Sequence, residues 1–210
     1  MKKILSLLFC FLILSANACA SQNKSDMSGY EGFDDKDHVF YDMSVKDVSD
    51  AMERKETFAV YFGFSKCPWC IAALPYLNEE AKAAGVKVGY VDTRKDPSWS
   101  SNIDIDDYDL FVEKFSDYLE YDDNGIKHLY TPHVFFVKNG ETVFEHNGTV
   151  EGHDATERSL SQEEVQQLKG IYREGFEAMK CELPAGKTSR FSNASKDSEE
   201  VQKQVKSYCF

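Results

Sequence analysis

The chain has 210 residues, 42% hydrophobic and 13% aromatic, enough to bury one ordinary core with little left for a second. A formal net charge of −12 argues against binding nucleic acid or an anionic membrane through a basic patch. No stretch is uniformly apolar over the roughly 20 residues of a membrane-spanning helix, so a monomeric domain with appendages, soluble or tethered by its end, is expected.

Residues 1–18 have the pattern of a signal peptide. Lys2 and Lys3 open it, Ile4 to Leu14 form a short apolar core, and small residues surround Asn17. Cys19 then follows small residues and precedes a polar spacer, the pattern of a bacterial lipid anchor; an ordinary cut after Ala18 is the alternative. Either way the mature protein is expected outside the cytoplasm, as a cell-surface lipoprotein or a secreted protein, with a membrane contact only through that anchor. Residues 19–37 are polar and lack periodicity, and are read as a flexible linker.

The folded part is expected over residues 38–180. Ser44 offers a helix N-cap, followed by Val45, Val48 and Met52 at helical spacing. Thr57 to Phe64 is apolar on both faces, which suits a strand in the middle of a sheet. After Cys67, Pro68 fits a first helical turn, and Ile71, Ala72, Leu74, Leu77 and Ala81 carry the helix to Gly85 with Pro75 bending it. Val86 to Val91 reads as a second strand, parallel to the first because a helix intervenes.

Residues 93–130 are read as a helical insertion. Asp104, Asp106, Asp107 and Asp109 form its solvated start, and Leu110, Phe111, Lys114, Phe115, Tyr118 and Leu119 its stripe. Thr131-Pro132 introduces a strand from His133 to Val137, and Asn139-Gly140 is a hairpin turn into Thr142 to His146. Ser161 and Glu164 form a capping box for an amphipathic helix carrying Val165, Leu168, Ile171, Tyr172, Phe176 and Met179. Residues 181–210 form an extension with turn chemistry and a short terminal helix near Cys209.

With Cys10 lost with the signal and Cys19 at the flexible start, four cysteines remain: Cys67, Cys70, Cys181 and Cys209. Outside the cytoplasm they can oxidise in three pairings; proximity favours Cys67 with Cys70 and leaves Cys181 with Cys209. The latter pair would staple the tail, stabilising by roughly 3 to 4 kcal/mol in the chain-entropy model, with a redox relay as the alternative.

Cys67 and Cys70 admit three readings. A metal clip needs about four ligands, and only His128 and His133 stand near the Thr-Pro segment to help, so no metal is assigned. A structural disulfide would close too small a loop to stabilise much. A redox pair fits best, because Cys67 at a helix N-terminus, beside Lys66, should have a lowered thiol pKa while Cys70, one turn in, is shielded. Trp69 is read as an exposed aromatic facing a substrate, with packing on the protein's own surface as the alternative.

Helix, strand, Cys67-Pro68-Trp69-Cys70, helix, strand, connecting helix, Thr131-Pro132, two antiparallel strands and a last helix together resemble the thioredoxin-like superfamily over about residues 40–180. The resemblance implies an α/β fold with a central mixed sheet flanked by helices. It implies Cys67 as nucleophile, Cys70 as resolving thiol, a cis Pro132 facing them, and Thr131 holding a substrate backbone near Lys66, Pro68 and Trp69. Lys66, Pro68-Trp69 and Tyr61 differ from thioredoxin itself, which has tryptophan, Gly-Pro and aspartate at those places. Tyr61-Phe62-Gly63 with the Cys-Pro-Trp-Cys centre resembles the group called bacteriocin transport accessory proteins. The implied function is a cofactor-free extracytoplasmic thiol-disulfide oxidoreductase acting on cysteines of secreted proteins or peptides, with an unidentified redox partner. The other reading is a non-catalytic accessory module of a peptide-export system.

Overall fold

The computed structural model describes residues 23–94, 108–121, 123–125 and 127–180. The signal peptide, Cys19, most of the acidic cluster, and the extension with Cys181 and Cys209 lie outside the described residues.

In chain order the elements are β1 (Phe40–Asp42), α1 (Val45–Glu53), β2 (Phe58–Gly63), α2 (Pro68–Ala84), β3 (Val88–Asp92) and α3 (Tyr108–Phe115). A single 3-10 turn follows α3, then β4 (Glu120–Tyr121), β5 (Lys127–His128), β6 (His133–Lys138), β7 (Glu141–Asn147) and α4 (Gln162–Lys180). Five strands form one sheet in the order β1-β3-β2-β6-β7. β3 pairs in parallel with β1 and β2, whereas β6 runs antiparallel to both β2 and β7. A central mixed sheet of this order, with helices on both faces, is the thioredoxin-like architecture. The β4–β5 hairpin and the edge strand β1 are not among the elements read from the sequence.

β2 explains why the sheet has two cores. Alternate residues of a strand point to opposite faces, so Ala59 and Tyr61 join one buried cluster while Phe58, Val60 and Phe62 join the other. The first cluster is closed by α2 through Ala73, Leu74 and Leu77 and by α4 through Leu168, Tyr172 and Phe176. The second is closed by Val45 and Val48 of α1 and by Phe111 and Phe115 of α3. The helix expected within residues 93–130 is thus part of a regular layer, with the Phe111 ring 5.0 Å from that of Phe62 and tilted 55° to it.

Local signals account for most ends. Ser44 and Asp47 form a reciprocal cap at α1, and Ser161 and Glu164 do the same at α4, with N–H to oxygen distances of 2.8 and 3.3 Å. Asn139 and Gly140 both have positive φ, as a two-residue hairpin turn requires, and a Cβ on Gly140 would stand 2.2 Å from the carbonyl oxygen of Met52. Pro75 lies inside α2, which runs unbroken to its left-handed cap at Gly85.

The linker reading of residues 19–37 is corrected over 23–37. Met27, Tyr30 and Phe33 are buried in the first core. Two successive turns, Tyr30 N–H to Met27 O and Phe33 N–H to Tyr30 O, bring these three side chains to one side. Burying each is worth roughly 1.5–3 kcal/mol, enough to order a polar segment around them. The strap then bonds β1 on its outer side, with Ser25 N–H donating to Phe40 O and Asp42 N–H to Asn23 O. Asp35 accepts from Asn78 at 2.7 Å and pairs with Lys82, fastening the far end to α2.

Candidate active site

The two cysteines sit where β2 gives way to α2. Cys67 is the N-cap of α2 in extended conformation, and Pro68 occupies the first turn, where a missing N–H costs nothing. Both thiols are free and buried, Cys67 with 5% of its surface exposed and Cys70 with none.

The geometry makes the two sulfurs unlike. Cys67 Sγ accepts the backbone N–H of Cys70 at 3.3 Å. Thr131 places its carbonyl oxygen 3.5 Å and its hydroxyl 3.8 Å from the same sulfur. The thiol of Cys70, the backbone N–H groups of Cys70 and Trp69, and the Thr131 hydroxyl together pull the Cys67 pKa down to about 7, against the burial that raises it. Burial pushes Cys70 well up, and its hydrogen bond to Cys67 adds to the rise. The expected lowering through Lys66 is replaced by these hydrogen bonds: Lys66 is exposed, and its charge is not among the main causes.

Thr131 and Pro132 face the cysteines from the start of β6, and the bond between them is cis. His133 follows, 2% exposed; its Nε2 is 2.7 Å from Glu145 and its ring lies on Phe135 at 4.2 Å. It is therefore committed to the opposite core. His128 packs against Tyr130. Among the described residues, no three of His, Cys, Asp and Glu cluster to hold a metal ion.

Trp69 corrects its reading as an exposed aromatic. It is half-buried against the first core, and its indole N–H donates to His153 O at 3.4 Å. His153 organises the loop behind it: its Nε2–H donates to Arg158 O at 3.0 Å, and its Nδ1 is hydrogen-bonded to Thr149 Oγ1 at 2.8 Å. Between that loop, the strap and α2 runs a groove of about 700 Å³ lined in part by Glu31, Lys66, Pro68, Ile71, Tyr76 and Leu160. Lys66 and Pro68 thus lie on open surface beside Cys67, whereas Trp69 is turned inward.

Sequence reasoning named Tyr61 only as a departure from thioredoxin and missed the rest of the floor of the site. Tyr61, fully buried on β2, stacks on Tyr90 at 5.9 Å, and Tyr30 from the strap meets Tyr90 edge-on at 6.2 Å. Both Tyr61 and Tyr30 act electrostatically on Cys70. The signal for Tyr30 was present as the three-residue spacing of Met27, Tyr30 and Phe33 in an otherwise polar stretch. Gly63 is needed here, since a Cβ at that position would stand 2.7 Å from the Tyr61 hydroxyl.

No family model and no curated protein matches the chain. Solved structures with similarity include a protein of thioredoxin fold, 18% identical over 52% of this chain and 83% of its own, with a TM-score of 0.38. They also include thioredoxins O2 and O1 of Arabidopsis thaliana in the oxidised state. The first is 16% identical over 57% of this chain and 88% of its own, and the second 18% over 62% and 98%, each with a TM-score of 0.35. The fold assignment rests on the strand order and pairing directions described above.

Proposed function

We propose that the protein is an extracytoplasmic thiol-disulfide oxidoreductase that works on cysteines of secreted proteins or peptides. The observation that supports this reading is the asymmetry of the pair: a thiol with a small exposed edge and a lowered pKa, hydrogen-bonded to a fully buried thiol with a raised one. Such a pair holds a nucleophile ready near neutral pH and keeps its partner protonated until needed.

In the reducing direction the Cys67 thiolate attacks one sulfur of a substrate disulfide. The substrate S–S bond breaks, its electron pair leaving with the second substrate sulfur, and a mixed disulfide forms at Cys67. Cys70 then gives up its proton and attacks Cys67 Sγ; the first substrate sulfur departs with the electron pair and a proton. The dithiol is oxidised by two electrons and the substrate disulfide is reduced by the same two. Run backwards, the same steps oxidise a substrate dithiol. The Thr131 backbone lies where it can align a substrate chain, and Lys66 and Pro68 border the approach. The extracytoplasmic placement is supported by the signal pattern of residues 1–18.

Insulin reduction by wild type and Cys67→Ser tests the reading, with oxidation of a reduced peptide as the parallel assay. Turnover in at least one direction that disappears in Cys67→Ser is expected. Background rates for both proteins in both assays would overturn it in favour of a binding module.

A further inference from the structure

Four tyrosines from four different parts of the chain bear electrostatically on Cys70. Tyr61 comes from β2, Tyr90 from β3, Tyr172 from α4 and Tyr30 from the strap, and all four lie in the same buried cluster as the thiol. Their hydroxyls are not equivalent. Tyr30 donates its proton to Tyr90 at 3.2 Å, so its donor is committed. Tyr61 is wholly buried and its hydroxyl makes no hydrogen bond of normal geometry. Its position is fixed by the stack on Tyr90 and by Gly63, where any side chain would collide with it. The oxygen of Tyr30 and the sulfur of Cys70 are both close enough to bias its ionisation.

A buried donor without a partner is costly, and a thiol sulfur is a poor acceptor. A thiolate is a far better one, because hydrogen bonds to charged groups are roughly twice as strong. We propose that Tyr61 serves the second half of the exchange: its hydroxyl turns onto the Cys70 sulfur as the thiolate forms and releases it when the Cys67–Cys70 disulfide closes. The inference rests on the thiol-disulfide reading of the same site. In the step concerned, Cys70 loses its proton, which ends on the departing substrate thiolate, and the Cys70 sulfur bonds to Cys67 Sγ as the Cys67–substrate bond breaks. Tyr61 neither gains nor loses a proton overall. Tyr30 has the opposite influence, since its oxygen competes with Cys70 for the Tyr61 hydroxyl proton.

The titratable groups that bear on Cys70 are Cys67 on its own helix, Tyr61, Tyr30, Tyr90 and Tyr172, with Asp92 and Asp42 beyond Tyr90. All the tyrosines are held protonated by burial, so hydrogen-bond donation, not base catalysis, is what they offer.

The test uses the full chain with Cys10→Ser, Cys19→Ser, Cys181→Ser and Cys209→Ser as background, reduced and mixed with 5,5′-dithiobis(2-nitrobenzoate). The first thionitrobenzoate released reports attack by Cys67 and the second reports resolution by Cys70. Tyr61→Phe is expected to leave the first phase within about two-fold and to slow the second by about ten-fold or more at pH 7. The gap should close as pH rises and Cys70 ionises unaided. Tyr30→Phe is expected to leave the second phase as fast as in the parent chain, or faster. Equal second phases in the parent and Tyr61→Phe would overturn the role of Tyr61. So would equal slowing in Tyr61→Phe and Tyr30→Phe at every pH, which a purely structural role predicts. Absence of any second release from the parent chain would instead overturn the thiol-disulfide reading beneath it.

Discussion

The backbone N–H of Cys70 points at Cys67 Sγ across 3.3 Å, a contact that stabilises the Cys67 thiolate. The Cys70 thiol adds the largest single lowering of the Cys67 pKa. Only the thiolate is alkylated, so reactivity of Cys67 with iodoacetamide should rise with pH around a midpoint of about 7 and fall below it. In Cys70→Ala the backbone N–H remains while the thiol is gone, and the midpoint should move upward. A midpoint that does not move would show that the helix end alone sets the pKa.

Thr131 contributes less. Its hydroxyl is 3.8 Å from Cys67 Sγ, a long contact even for sulfur. Thr131→Val should raise the same alkylation midpoint by less than Cys70→Ala does, with the unfolding midpoint nearly unchanged.

The strap can be tested through Phe33, which packs edge-on against Phe40 at 6.2 Å. Phe33→Ala should destabilise the protein by about 3 kcal/mol, read from urea unfolding. A flexible linker would give no change.

Gly63→Ala inserts a methyl group 2.7 Å from the Tyr61 ring and hydroxyl, in a place where the ring has nowhere to go. Overpacking of this kind should cost about 1–3 kcal/mol and lower the thermal midpoint. Tyr61→Phe in the same chain should recover little, because the ring carbons are hit as well as the hydroxyl.

Trp69→Phe removes the donor to His153 O while keeping an aromatic ring. A loss of about 1 kcal/mol in stability is expected, with the alkylation midpoint of Cys67 moving little. An aromatic that served the substrate alone would leave stability untouched.

Local signals made much of the fold legible. The two-faced apolar run of β2, the Asn139-Gly140 turn and the Ser161–Glu164 cap each depend on neighbours in sequence, and each is found where the residues suggested. The site was legible as far as the cysteines and the Thr131-Pro132 segment, which are motifs. What escaped depends on distant partners. Met27, Tyr30 and Phe33 are isolated among polar residues, and only the space left beside β3 and α2 gives them somewhere to bury. Trp69 lies inside a motif whose exposure is set by His153, 84 residues away in the chain. The helix N-terminus lowers the Cys67 pKa as expected, through the N–H groups of Trp69 and Cys70, but Lys66 was credited for a similar reason: it is adjacent in sequence, whereas hydrogen bonds at the sulfur outweigh a solvated charge.

The pairing of the strap with β1 bears on how molecules of this protein meet one another. A sheet that ends in a strand with free N–H and C=O groups is a template for a second chain, and such edges are where proteins join into aggregates. Here Asn23 and Ser25 occupy those groups on Phe40 and Asp42. Loss of the strap, by proteolysis or by truncation before Tyr30, would therefore do more than loosen the core: it would leave a sticky border on that side of the sheet. A truncated chain should self-associate with rising concentration under conditions where the intact one does not.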